Sequence, residues 1–490
     1  MRDRGVSPIP LHHTMLQTNA DVIALSPSVH GMRTIGCYRI ATELRQQGYT
    51  CQVLDHFNFF TKSEVNVILD RCIGPDTKIL AVSSTFAPGH GQLGDPDNFE
   101  KFNSFSYAVK YVKAKYTHVK IVVGGQRASA YNHPDFDAQV LGLADLVLPE
   151  YLKFLKGKNP FFQYTPNPNG PIIIQGDAIN SRFDFKHSQV VYNASDFVRA
   201  GESLPVELSR GCIFRCSFCN YQLNGKKNND YIKDMAAFKE ELLRNYHDHG
   251  VSRYIIMDDT HNDNLFKLEQ LAKVAQELPF KFEYAAYLRI DLVRSHPETY
   301  SLLKDSGLSG AFFGIESLNW KSAKTIGKGL HPDKVVEELH KFRETLPHVS
   351  TAGGFIVGLP YDTPETLDDW TSRVSDHSFP LDSVHFFPLV VHPARTMYAS
   401  EFEKDFDKWF TMTPNGWHNG IYDSKWAIEY ANKLKQNLQT TNRDKVGGFF
   451  NIIVPSLAIG GNKVDSKYNM LELKPMIKNV IDSYKHLLFN

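Results

Sequence analysis

The stretch Gly211–Tyr221, GCIFRCSFCNY, places Cys212, Cys216 and Cys219 within one short segment of a 490-residue chain that has six cysteines in all. The other three, Cys37, Cys51 and Cys72, lie far upstream. A structural zinc site takes four protein ligands, usually from paired CxxC or CxxC with HxxxH. Here no fourth cysteine is close, and the nearest downstream histidines are His247, His249 and His261, so zinc fits poorly. A cubic [4Fe-4S] cluster has four irons, each wanting a terminal ligand, and thiolates are the usual choice. Three thiolates on one loop hold three of them and leave the last for something other than protein. An electron-transfer cluster is normally fully ligated, so the missing cysteine argues for chemistry at the iron.

Such a loop has to be held by a rigid frame, and the surrounding sequence supplies a repeating one. From Pro205 to about Val391, PVELSR, RYIIMDD, FEYAAYLR, GAFFGIES, STAGGFIVGLP and DSVHFFPLVV read as strands. Helical patterns separate them, among them LFKLEQLAKVAQEL, with Leu265, Leu268, Leu271, Ala272, Ala275 and Leu278 on one face. TPETLDDWTSRV opens with a Thr363 cap and Pro364 in its first turn. Six β/α units predict a partial barrel of parallel strands, whose active-site loops follow the strand ends. The cysteine loop follows the first of these strands.

The CxxxCxxC spacing, with Phe218 directly before the last cysteine, resembles that of the radical S-adenosylmethionine (radical SAM) superfamily. The resemblance implies that Cys212, Cys216 and Cys219 hold a [4Fe-4S] cluster whose open iron is chelated by the amino and carboxylate groups of S-adenosylmethionine. Reductive cleavage of that cofactor then gives a 5′-deoxyadenosyl radical that takes hydrogen from the substrate, with cluster and cofactor carrying the hard chemistry. Later strand ends agree in order. Asp258, Asp259 and Thr260 stand where the superfamily binds the methionine amino group, or alternatively cap the next helix. Glu316 and Ser317, in GIES, suit the ribose hydroxyls or the methionine end. Arg289 suits the methionine carboxylate, or a salt bridge at the rim. Gly354, Ile356 and Gly358 match the GxIxG element that packs the adenine, glycine admitting a flat ring close to the backbone. Tyr361 departs from the pattern, standing where a final glycine is common.

Upstream, DVIALSPS, TCQVLDHF, KILAVSSTF, KIVVGG and ADLVLPE read as strands alternating with helices such as MRTIGCYRIATELRQQGY. This predicts a Rossmann-like, doubly wound parallel sheet. It resembles the cobalamin-binding module that precedes the barrel in one branch of the superfamily. Ser83, Ser84, Gly124 and Gly125 would then approach the corrinoid over the sheet's carboxyl edge. The module's DxHxxG element is altered here to SVHGMR, with Ser28 for the acid and Arg33 for the glycine. His30 is therefore expected as a loop histidine rather than a cobalt ligand, and the sequence leaves cobalamin open. Methylthiolation is disfavoured, since that branch needs cluster-spaced cysteines in its first domain.

The expected α/β organisation is thus a Rossmann-like domain over 1–156, a linker over 157–200, a partial (β/α)6 TIM-like barrel over 201–392 and a mainly helical extension over 393–490. KNPFFQYTPNPNG, with three prolines and three asparagines, marks the linker. Lys plus Arg and Asp plus Glu each total 54, so no net field recruits nucleic acid or an anionic membrane. No signal-peptide pattern or membrane-length apolar run is legible, and a cytoplasmic location is expected. The reading is a radical SAM enzyme, of methyltransferase or rearrangement type, with a small-molecule or peptide substrate and an external low-potential electron donor. A non-catalytic iron–sulfur or zinc module is the alternative.

Overall fold

A computed structural model describes residues 15–27, 32–85, 103–126, 128–176, 183–200, 202–223, 226, 228–376, 378–394, 399–414, 416–440, 458–459, 462–463 and 470–489. The chain divides into two units. One comprises Met1–Ala200, Glu240–Gly250 and Met476–Asn490, the other Gly201–Lys239 and Val251–Pro475.

In the first unit, β1 (Val22–Leu25), β2 (Cys51–Leu54), β3 (Ile79–Ser83), β4 (Lys120–Gly124), β5 (Ala138–Leu141) and β6 (Ile172–Gln175) form one parallel sheet in the order β2-β1-β3-β4-β5-β6. Every residue of β1 and β2 is buried, the burial of strands covered on both faces. The chain reverses direction between β1 and β3, the switch point where such sheets bind ligands.

Two expectations change here. ADLVLPE is not a strand: Val147–Leu155 is helical, and AQVL just upstream supplies β5. The expected linker, 157–200, carries β6, paired in register with β5, so much of it belongs to the front sheet.

In the second unit, β7 (Ser203–Val206), β8 (Arg253–Ile256), β9 (Glu283–Leu288), β10 (Leu308–Glu316), β11 (Ser350–Val357) and β12 (Ser383–Pro388) pair in strictly sequential, parallel order. This is the expected partial barrel. Helix Pro364–Ser375 begins at Thr363 with a full capping box, as its sequence suggested. Tyr254, Tyr284, Phe355 and Phe386 face the helix layer; Phe355 and Phe386 both pack against Trp370. By alternation, Ile255, Tyr287, Phe312, Gly354, Ile356 and His385 take the opposite, inner face.

The expected C-terminal extension is divided. Short helices Glu401–Lys404 and Phe406–Trp409, the hairpin of Thr411–Thr413 with Gly416–His418, and the extension helix Ser424–Thr440 belong with the barrel. The end of the last helix, Met470–Phe489, belongs with the front unit, where Tyr484 and Leu488 join the hydrophobic core. Two aromatics of the expected extension, Phe449 and Phe450, lie outside the described residues.

Candidate active site

The cysteine loop leaves β7 and returns on itself through a staple of backbone bonds. Arg210 N donates to Tyr231 O at 2.9 Å, Cys212 N to Tyr221 O at 2.7 Å and Lys233 N to Leu208 O at 2.8 Å. Gly211 turns the outgoing leg at a φ of 86°, where a Cβ would stand 2.9 Å from Gln222 O. Only glycine permits that approach without displacement. The tip is tied down at Ser217, whose N donates to Ile326 O at 3.3 Å, whose Oγ donates to Thr325 O at 3.1 Å, and whose O accepts from Phe402 N at 2.8 Å. Between these anchors sit Cys212, buried, and Cys216, Phe218 and Cys219, half-buried, all three cysteines being free thiols.

The strand ends that follow converge on this loop. Thr260 Oγ1 lies 3.3 Å from Cys212 Sγ, and Asp259 Oδ2 accepts from Gly211 N at 2.8 Å. Arg289 donates to Cys216 Sγ at 3.3 Å while forking onto both oxygens of Asp291 at 3.0 and 2.6 Å, and its guanidinium lies 4.0 Å over the Phe214 ring. A hydroxyl and a guanidinium therefore face two of the three sulfurs, and both favour the thiolate form. Burial pushes the Cys212 thiol up, against the Thr260 contact, and takes Cys219 to about 12. Ligation by a metal is the physical counterweight to such burial.

The donor set fits a cluster better than a single ion. Among the described residues no three His, Cys, Asp or Glu side chains converge on one point. Thiolates on a cubane bind separate irons and need not converge on a point.

Asp258 lies beneath the root of the loop. Its Oδ1 accepts from Leu208 N at 2.8 Å and Ser209 N at 2.7 Å, while its Oδ2 faces Lys267 Nζ at 3.2 Å and His261 Nδ1 at 3.6 Å. Burial would raise its pKa, but Lys267, His261 and the backbone donors prevail and hold it at about 2. Both oxygens thus hold partners, Leu208 N and Ser209 N tying Asp258 to the root of the cysteine loop. Asp259 is the opposite case: burial, with like charge from Asp258 and Glu207, pushes it up to about 7. Lys267, fully buried, completes the arrangement by reaching Ser209 Oγ and Thr260 O at 3.0 Å each and Asp263 at 2.7 Å.

Glu316 ends β10 at a φ of 73°, beyond a bulge after Gly314, with Lys328 Nζ 3.6 Å from its carboxylate. Burial raises its pKa, and Lys328 opposes the rise. Ser317 Oγ is taken up by Asn319 N at 3.0 Å. The GxIxG glycines do admit flat rings, but rings of the protein itself. A Cβ on Gly354 would stand 2.9 Å from Phe312, and one on Gly358, at a φ of 108°, 2.7 Å from Trp417 of the extension. Ile356 is buried between them on the inner face. Tyr361 holds a φ of 70°, which explains why glycine suits that position.

Lys267 and Asp291 were not singled out from the sequence, and His261 was named only as a distant histidine. The signal for Lys267 was a lysine on the core-facing stripe of Leu268 and Leu271; the others carried none, because their partners are remote in sequence.

In the front unit, Ser84 is wholly buried and its Oγ has no hydrogen-bond partner among the described residues. Gly125, at a φ of 97°, brings its backbone so close that a Cβ would lie 3.1 Å from that oxygen. Ser83 and Gly124 are paired neighbours on β3 and β4. An orphaned hydroxyl beside a glycine cradle at the sheet's carboxyl edge suits a ligand edge. Arg33, which replaces a glycine of the altered DxHxxG element, is buried: it donates to Asp196 O at 2.8 Å and Phe197 O at 2.9 Å, bonds the Tyr38 hydroxyl, and lies 3.7 Å from Asp55. Tyr484 covers it, its ring 5.5 Å from the guanidinium. His30 and Ser28 lie outside the described residues.

Residues 206–373 match the radical SAM superfamily model. An uncharacterized methyltransferase of Pyrococcus horikoshii is 26% identical over 164 residues, 33% of this chain and 34% of the relative. The ribosomal protein uS12 methylthiotransferase RimO of Bdellovibrio bacteriovorus is 23% identical over 192 residues, 36% of this chain and 41% of its own. The chain thus matches well under half the length of these two curated relatives. The solved radical S-adenosylmethionine methyltransferase TsrM of Kitasatospora setae, with cobalamin and a [4Fe-4S] cluster bound, superposes with a TM-score of 0.59 at 12% identity, covering 96% of this chain and all of that one. That likeness is one of fold.

Proposed function

Residues 206–373 of this chain form a radical SAM domain, and from that premise we propose an enzyme that cleaves S-adenosylmethionine reductively and uses the product in methyl transfer assisted by a corrinoid. Cys212, Cys216 and Cys219 would hold the cluster. Thr260, Asp259, Arg289, Glu316 and Ser317 would surround the methionine and ribose ends, and Ile356 the adenine. Ser83, Ser84, Gly124 and Gly125 would border the corrinoid. Bound there, the cluster supplies the electron that breaks the sulfonium bond, and the corrinoid supplies a methyl carrier.

The residues of the chain have three tasks in this reading. The stapled loop fixes three sulfurs on one rigid element at the mouth of a parallel barrel, where such folds place chemistry. Thr260 and Arg289 stabilise thiolate charge. The extension, through Trp417 on Gly358 and Phe402 on Ser217, closes the barrel end and limits water. Methyl transfer is preferred over methylthiolation because Cys37, Cys51 and Cys72 lie on three separate elements, helix Ile35–Gln46, β2 and helix Lys62–Cys72, without the spacing of a second cluster. The enzyme would draw on an external low-potential donor in the cytoplasm.

The observation that carries this reading is the contact of Thr260 with Cys212 and of Arg289 with Cys216, which links two successive strand ends, those of β8 and β9, to the cysteine loop. Anaerobic reconstitution tests it. Wild type should turn brown and, after reduction, release 5′-deoxyadenosine, with S-adenosylhomocysteine marking methyl transfer. Cys216→Ala should lose both colour and cleavage. A colourless zinc protein, or cleavage that survives the substitution, would defeat the proposal.

A further inference from the structure

On β12, Val384 and Phe386 turn to the helix layer, so His385 and Phe387 project to the inner face, their rings 4.0 Å apart. The register places His385 beside Gly354, and Gly354 beside Gly314. The Phe312 and Phe387 rings cover Gly354, and the Glu316 carboxylate lies over Gly314.

The extension helix packs on β12 and β11. Its core-facing stripe runs Ala427, Ala431, Lys435 and Leu438, spaced as one helical face. Ala427 and Ala431 are wholly buried, and Ala427 Cβ lies 3.3 Å from where Gly358 would carry its own. Lys435 is therefore a lysine placed one turn along an alanine stripe that touches the strands. Among the described residues no carboxylate pairs with Lys435 or with His385, and both side chains are half-buried. Burial alone holds the Lys435 ammonium below its ordinary range, and burial together with the Lys435 charge brings His385 down to about 4. A desolvated cation without a counter-charge weakens a fold. Such a feature is typical of a site that receives its partner from outside.

We propose that Lys435, with His385 beside it, binds an oxyanion of the substrate, a carboxylate or a phosphate. The inference rests on the barrel mouth being the active site, as proposed above. The ammonium supplies the charge and the neutral imidazole N–H a second donor, the combination that makes charge-assisted hydrogen bonds strong.

Calorimetric titration of the reconstituted full chain with inorganic phosphate, at constant ionic strength, tests this, with acetate as the second probe. One saturable site is expected, present equally under saturating S-adenosylmethionine. Lys435→Met should weaken it by about tenfold or more, the loss of one charge-assisted bond, whereas Lys435→Arg should retain most of the affinity. A phosphate-selective or an acetate-selective site supports the proposal and names the oxyanion. Equal affinity in Lys435→Met, displacement of the anion by S-adenosylmethionine, or no saturable site for either probe would overturn it. Should Lys435→Met fold poorly, Lys435→Gln takes its place. Release of 5′-deoxyadenosine by wild type is read separately. Its absence beside an intact Lys435-dependent site would sink the radical reading alone.

Discussion

At the carboxyl edge of the front sheet, Arg33 is enclosed by Asp55, Tyr38 and Tyr484, with its donors occupied by neighbouring backbone and hydroxyls. At the carboxyl edge of the barrel, the neighbouring charges Asp258 and Lys267 are equally buried, but they serve the root of a loop that carries three free thiols. Both sheets are parallel and six-stranded. The front sheet uses a buried ion pair to fill the space beside β1 and β2, while the barrel uses one to hold reactive groups in place. A buried charge pair therefore says little about function until the next group along is known. Beside Arg33 it is core; beside Asp258 it is Gly211 and Cys212.

Substitutions at the two pairs test that contrast. Lys267→Met strands Asp258 and Asp263 in the interior and should destabilise the barrel unit by about 4 kcal/mol. Cluster loading should fall with it, since the loop root loses its anchor. Chemical unfolding, read beside iron content, checks both. Arg33→Met leaves Asp55 without its cation but with the Tyr38 hydroxyl and His56 N as donors, and should cost about 3 kcal/mol. Iron content should then stay at the wild-type level. If Arg33→Met lowered iron loading as much as Lys267→Met, the contrast would be lost.

A titration sharpens it further. Asp362 is wholly buried, accepts from Ser322 Oγ at 2.8 Å, leaves Oδ2 without a partner, and is pushed up to about 7 by burial. An acid raised above its unfolded value binds more protons when folded. Its contribution is complete below about pH 4 and is lost as pH rises to about 7. Asp362→Asn removes the ionisation but keeps an acceptor for Ser322. The melting temperature of the variant should thus gain on wild type between pH 5 and pH 8, and a constant offset would refute the assignment. The smallest effect belongs to Tyr361→Gly. Relief of the left-handed backbone is worth about 1 kcal/mol, but glycine's extra chain entropy and the lost contact with Lys321, 4.1 Å from the ring, each offset about half of it or more. The net change in unfolding free energy should fall within about 0.5 kcal/mol of zero.

Much of the barrel was legible because its signals are local. Each strand is a buried apolar run, each major helix has one stripe, and Thr363 caps where its sequence says it should. The cysteine loop was legible from spacing alone. ADLVLPE misled because a short apolar run fits a strand or a helix equally well; what decides is its continuation into Tyr151, Leu152 and Leu155, which keep a helical period. Asp258 was placed by resemblance near the methionine amine, and its ties to Leu208 N and Ser209 N, some fifty residues away, could not be read from that position. Tyr484 reaches Asp55 N across 429 positions, a contact that no local pattern could disclose. Trp417 on Gly358 is similar: the glycine and the aromatic are both visible in the sequence, but no local pattern pairs them. Lys435 was hidden because a single lysine in a helix reads as a solvated face until its stripe is seen against β12.

The vacant fourth ligand is the central claim, and electron paramagnetic resonance of the reduced, reconstituted protein tests it most directly. With three thiolates on the cluster, addition of S-adenosylmethionine should shift the g-values of its signal, because the cofactor enters the coordination sphere of the open iron. A signal left unchanged by S-adenosylmethionine, with the cluster fully loaded, would contradict the account.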